Sequence, residues 1–290
     1  MNQRRNRLLW TAWALVPVGL LAFHYGPGQR ASRAEQAGAL VAKAERARSE
    51  AEALQSAAHA LHVTAVAARA RAAASAGDPS LHRAALEAVA AEEAAYAESA
   101  KAWTGVADTL ASAQALLSET GESGAPQARE VRVAKAAALV RAGEVAAGAG
   151  ELEDMLADGT CADTPLESAV REELATAYYH GARLQRLAGR PEDEWRDSAR
   201  HTREQFRYLA EDARARGEPA GRVRDLERNV ELVLDLEQSP GDQVALKVKP
   251  KDCPSGQCNG LSPRKGKGRK PGDGTPSKGA GMQGEIGDGW

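Results

Sequence analysis

Over residues 34–76 the chain has no proline and one glycine, Gly38. Stepping alternately by three and four lands on Ala37, Leu40, Ala44, Ala47, Ala51, Leu54, Ala58, Leu61, Ala65, Ala68 and Ala72, all alanine or leucine. An apolar repeat of this spacing is the seam of a coiled coil. It predicts one long helix with a face committed to another helix. Alanine is abundant along the whole chain, so part of this regularity follows from composition.

The motif "SAGDPSL" ends that stretch. Gly77 can stop a helix, Asp78 can cap the next, and Pro79 suits its first turn. A second helix is expected over 79–118, with large residues every seven positions: Val89, Tyr96, Trp103, Leu110 and Leu117. Two helices of similar length joined by a short turn predict an antiparallel, coiled-coil-like hairpin over 34–118. Small alanines on one helix can receive bulky residues from the other and let the axes approach closely.

Strand formers are scarce. The chain of 290 residues has 2 Phe, 5 Trp and 5 Tyr, and Ile286 is its only isoleucine. Ala, Leu, Glu, Arg and Gln favour helix. The expected fold class is all-α.

Further helices are expected over 126–237. Pro126 opens one, which breaks at "RAGE"; the next runs to about Leu156. "TPLE" reads as a capping box, with Thr164 capping, Pro165 in the first turn and Glu167 completing it. Gly189 stops that helix, Pro191 starts another, and Val223, Leu226, Val230 and Val233 stripe the last. "LATAYYHGARLQRLAGRPEDEW", residues 174–195, resembles the first helix and turn of a tetratricopeptide repeat. Leu174, Ala175, Ala177, Tyr178 and Tyr179 match that helix, and "RAGE" and "LAGR" match its turn glycines. The spacing departs from that of the family: Gly143 and Gly189 are 46 residues apart, against a repeat of about 34. The second helix also lacks a clear Ala-x-x-x-Phe. The resemblance covers residues 126–216 and implies a stack of antiparallel helical hairpins used for protein–protein contact.

The ends differ from the middle. Residues 8–25 carry no formal charge unless His24 is protonated, and Arg4, Arg5 and Arg7 precede them in the basic stub 1–7. As a helix this run spans about 27 Å, enough for a bilayer core. Trp10, Trp13 and Tyr25 suit its interfaces. Phe23, His24 and Tyr25 stand where a cleavage site wants small residues. A signal-anchor is therefore expected, with the N-terminus cytoplasmic and the body extracytoplasmic at the inner membrane. A cleaved signal, a twin-arginine signal and a buried soluble helix are the alternatives. "QVALKVKP" alternates like one short strand with no evident partner.

Residues 249–290 are rich in Gly, Pro and Lys and are expected to be disordered. Residues 1–33 and 247–290 each carry +5 within a chain of net charge −2, leaving −12 for the middle. Arg264, Lys265, Lys267, Arg269 and Lys270 form a basic patch suited to an anionic partner. Met282, Ile286 and Trp290 recur every four residues and suit docking into a groove.

Cys253 and Cys258 could close a small disulfide loop, whereas Cys161 could pair with a second chain or stay idle. His59 and His62 fall three apart, with Glu92 and Glu93 opposite them across the turn, and read as a solvated polar face. No metal ligand set, cofactor motif or catalytic motif is present, and no cofactor is expected. The expected function is a membrane-anchored extracytoplasmic helical scaffold or adaptor without catalysis. It would bind an unidentified protein partner through residues such as Trp103, Tyr178, Tyr179 and Trp195, with self-association through the heptad faces. The alternative is a binder of anionic polymer or surface through the tail. Nucleic acid enters only if the chain is cytoplasmic.

Overall fold

The computed structural model describes residues 27–240, apart from 76, 122–123, 160 and 163–164, together with 13, 15–18 and 23. Seven helices occupy 27–240: α1 (Pro27–Ala74), α2 (Pro79–Glu119), α3 (Pro126–Ala142), α4 (Val145–Ala157), α5 (Pro165–Leu187), α6 (Glu192–Ala215) and α7 (Ala220–Gln238). Among the described residues there is no strand. The fold is all-α.

Prolines set where most helices begin. Four helices open on one, and α6 and α7 follow Pro191 and Pro219 at their N-caps. A proline in the first turn loses no hydrogen bond and presets φ. Asp78 caps α2 as the sequence suggests, its side chain accepting from the Ser80 backbone N–H at 2.8 Å. The breaks at Gly143 and Gly189 share one construction. Gly143 has φ 96°, its N–H donates to the Val140 carbonyl, and the Glu144 N–H reaches back to Leu139. Gly189 and Arg190 repeat this pair of bonds to Arg186 and Gln185. A residue without Cβ takes this left-handed conformation at little cost.

α1 and α2 form the antiparallel hairpin, about 70 and 60 Å long at standard rise. Ala37, Ala44, Ala51, Ala58 and Ala65 are 0–1 % exposed and run along its centre. Opposite them Tyr96, Trp103, Leu110 and Leu117 are buried. The other half of the predicted seam is less enclosed: Leu40, Ala47 and Leu54 are half-buried and Leu61 is exposed. Close axes leave room at the centre only for alanine, so the leucines shift to the flank. The alanine line is occupied by α2 of the same chain.

From the hairpin the core passes along the chain in three clusters. α3 gives Ala128, Val131 and Ala138 to the hairpin and Val133, Ala136 and Val140 to α4 and α5. α5 gives Val170, Leu174 and Tyr178 to that second cluster and Ala175, Tyr179 and Ala182 to a third with α6 and α7. α7 turns only Leu226, Val233 and Leu236 fully inward, which closes the stack with a polar outer face. Gly148 of α4 is a close-approach point: a Cβ there would sit 2.7 Å from the Ala136 carbonyl and 2.6 Å from a Val140 methyl.

Candidate functional site

Two buried side-chain contacts between polar groups cross the hairpin seam. His62 Nδ1 lies 2.7 Å from Glu92 Oε1, with both groups buried. The Trp103 indole N–H donates to Gln55 Oε1 at 2.7 Å. His59 lies beside His62, ring centroids 6.2 Å apart. The sequence placed His62 opposite Glu92 correctly but read the pair as solvated. Ala58 and Ala65, fully buried one turn before and after His62, let the helices close over the pair, and that burial is the correction. An alanine repeat looks the same after a slip of seven residues. Two buried polar contacts that must be satisfied together distinguish the register.

Trp103 also marks the joint between hairpin and stack. The Arg141 guanidinium lies over its ring at 5.6 Å and pairs through both nitrogens with Glu173 at 2.8 and 3.1 Å. Gln55, Trp103, Arg141 and Glu173 therefore link α1, α2, α3 and α5 in one chain of contacts. A cavity of about 200 Å³ lies beside them, lined also by Glu45, Arg48 and Glu130. On the neighbouring face Lys135 bridges Gln114 of α2 and Glu151 of α4, and Arg132 donates to Glu151 at 2.6 Å. Burial works to raise the Glu151 carboxyl, but the bonds and charges of Lys135 and Arg132 prevail and hold it below its ordinary range.

The interior of the stack is more polar than that of the hairpin. The Tyr178 hydroxyl donates to the Glu153 carboxylate across the α4–α5 interface. Thr202 of α6 donates to the Ala175 carbonyl of α5 at 3.3 Å. His201 is buried against the Tyr178 ring, centroids 5.4 Å apart. Burial, then the positive charge of Arg200, push its imidazole down to about 3, so it stays neutral. The guanidiniums of Arg186 and Arg196 lie over the Trp195 ring at 4.5 and 5.6 Å. Arg186 also donates to the Ser239 carbonyl, closing the C-terminal end of α7.

These positions revise the expected contact residues. Trp103, Tyr178, Tyr179 and Trp195 are all buried between helices of this chain. Large aromatics in an alanine-rich body are its main source of apolar area, and folding uses them first. They shape the joints and are not held out to a partner. Cys161 is buried in the second core cluster, which takes it out of reach of a second chain. Cys253, Cys258, Arg264, Lys265, Lys267, Arg269, Lys270, Met282, Ile286 and Trp290, with the "QVALKVKP" stretch, lie outside the described residues.

Most of the expected span 8–25 also lies outside the described residues. Within it Trp13, Leu15, Val16, Val18 and Phe23 are described, and all are exposed, Trp13 by 76 %. Among the described residues no helix is long and apolar enough to cross a membrane, and no group of three or more His, Cys, Asp or Glu side chains could hold a metal ion.

No family model matches the chain, and comparison with curated proteins and with solved structures gives no match.

Proposed function

We propose that this protein is a membrane-anchored, extracytoplasmic helical scaffold that mediates protein–protein contact without catalysis. The supporting observation is the bare apolar surface at the N-terminal end. Trp13, Leu15, Val16, Val18 and Phe23 stand exposed just before a helix of 48 residues. Covering each such side chain is worth about 1.5–3 kcal/mol, so a cover is expected. A bilayer suits an uncharged run of this length behind Arg4, Arg5 and Arg7. α1 begins at Pro27, directly after the run. The hairpin then projects from the anchor as an arm, and the stack rides on its base through the Trp103–Arg141–Glu173 joint. A stack of hairpins serving protein contact is also what the tetratricopeptide resemblance implies.

Fusing a reporter active only outside the cytoplasm after Pro250, with fractionation of intact protein, tests the reading. An active reporter on full-length protein that stays in membranes through a high-salt wash is expected. An inactive reporter on a soluble chain overturns it. An active reporter on a shortened, soluble protein replaces the anchor with a cleaved signal.

A further inference from the structure

The hairpin opens at its far end. The last buried side chain of α1 is Val66 and the first of α2 is Ala85, while the turn between them lies at Gly77 and Asp78. Between the two helices here is an open groove of about 830 Å³, walled by Ala72, Ala73, Ala85, Leu86 and Val89. Leu86 stands 59 % exposed on its rim. Leu86 on its rim is about 25 Å beyond the Trp103 joint, counting 17 helical residues at standard rise.

Charge at this end is unbalanced. Arg69 lines the groove, and its Nε is buried without a hydrogen-bond partner. No carboxylate among the described residues pairs with Arg69, Arg71 or Arg83. The acids among residues 66–89 are Asp78 and Glu87; Asp78 lines the groove but is engaged by the Ser80 N–H and hydroxyl, and Glu87 is exposed outside its lining. In the stack, by contrast, Arg132, Arg141, Arg171, Arg203 and Arg222 each meet a glutamate. Arg69 is only half-buried, so an incoming carboxylate can reach its guanidinium and supply the charge partner that the helices do not.

We propose that this end of the hairpin docks a segment of another protein, which inserts an apolar side chain between Ala72 and Leu86 and sets a carboxylate against Arg69. The occupant is acidic by charge complementarity. A second copy would set Arg69, Arg71 and Arg83 against the same three arginines, which the exposed Glu87 offsets only in part. A concave groove suits an inserted side chain better than a flat lipid surface. The inference deepens the scaffold reading and rests on its protein-binding half, not on the anchor.

A photoreactive benzoylphenylalanine at position 86 of the full chain, in the cells that make it, tests the proposal. The same group at position 57, an exposed site mid-hairpin, is the control. The expected result is an adduct to a different protein at 86 and not at 57, mapped within one helical turn of an Asp or Glu. Arg69→Glu then lowers adduct yield about tenfold or more, the scale of a lost charged hydrogen bond. Exchanging the mapped acid for arginine restores the yield with Arg69→Glu. Arg69→Gln, which keeps the helix and removes only the charge, lowers the yield in the same direction and covers any failure of Arg69→Glu to fold. An adduct to lipid or to a second copy, equal yield at 57, no adduct, or a yield indifferent to both Arg69 variants overturns the proposal. In those cases the reporter fusion still decides the anchor by itself.

Discussion

The hairpin and the stack solve the same packing problem with different materials. In the hairpin, alanines at 0–1 % exposure bring two long helices close over their length, and polar groups enter the seam at His62–Glu92 and Gln55–Trp103. In the stack, shorter helices of 13 to 24 residues meet through tyrosines, buried histidines and arginine–glutamate pairs. A seam of methyl groups is smooth and short-ranged, so it gives little apolar area per residue and specifies register weakly. Irregular interfaces with charged contacts specify each neighbour separately. The difference teaches that uniform small residues make a long straight arm, whereas varied large ones make a fixed sequence of turns.

The sharpest way to break this comparison is at the place where the two regions meet. Trp103→Ala is expected to destabilise the protein by about 3–5 kcal/mol in urea unfolding, through the cavity it leaves and the loss of the Gln55 and Arg141 contacts. Next in size is the buried pair. Glu92→Ala should cost about 3 kcal/mol, because His62 remains buried without its partner. Replacing both with leucine should recover most of that loss but relax the register. Spin labels at positions 50 and 108, both exposed, should give one narrow distance in the native chain and a broadened distribution in the double variant.

The stack carries a pH dependence through His201. Its folded value of about 3 lies below the unfolded value of about 6.5. Between those limits the unfolded chain binds more protons, so this contribution is complete above about pH 6.5 and declines as pH falls toward 3. At pH 5 the loss from this one group is about 2 kcal/mol. His201→Phe keeps the ring against Tyr178 and should flatten the fall in urea midpoint between pH 7.5 and 5. An equal slope in both proteins would remove His201 from the account. The smallest effect tests the alanine line itself. Ala51→Leu should lose about 1–2 kcal/mol by overpacking, whereas Ala57→Leu on the exposed face should stay within about 0.5 kcal/mol.

Much of the fold was legible because its punctuation is local. Pro79 and Pro126 open helices, Asp78 caps, and Gly143 and Gly189 stop them, each by an effect confined to one turn. The 3.5-residue alanine repeat was legible for the same reason. The candidate sites were much less so. Glu92 could be placed opposite His62 by counting back from the turn, but its burial depends on how closely the axes approach. Leu61 shares the seam spacing yet is exposed. The aromatics Tyr178, Tyr179 and Trp195 looked like contact residues because sequence alone does not say which face of a helix another helix covers.

By itself the sequence determined the helical class, the helix ends and the alanine line, since propensity, capping and periodicity act within a few residues along the chain. Only the tertiary structure decided that Trp103 joins four helices through Gln55, Arg141 and Glu173, that α5 serves two core clusters, and that Arg69 lines an open groove whose acid, Asp78, is taken by Ser80. Those outcomes depend on distances between residues far apart in sequence, which close packing sets and no local preference encodes.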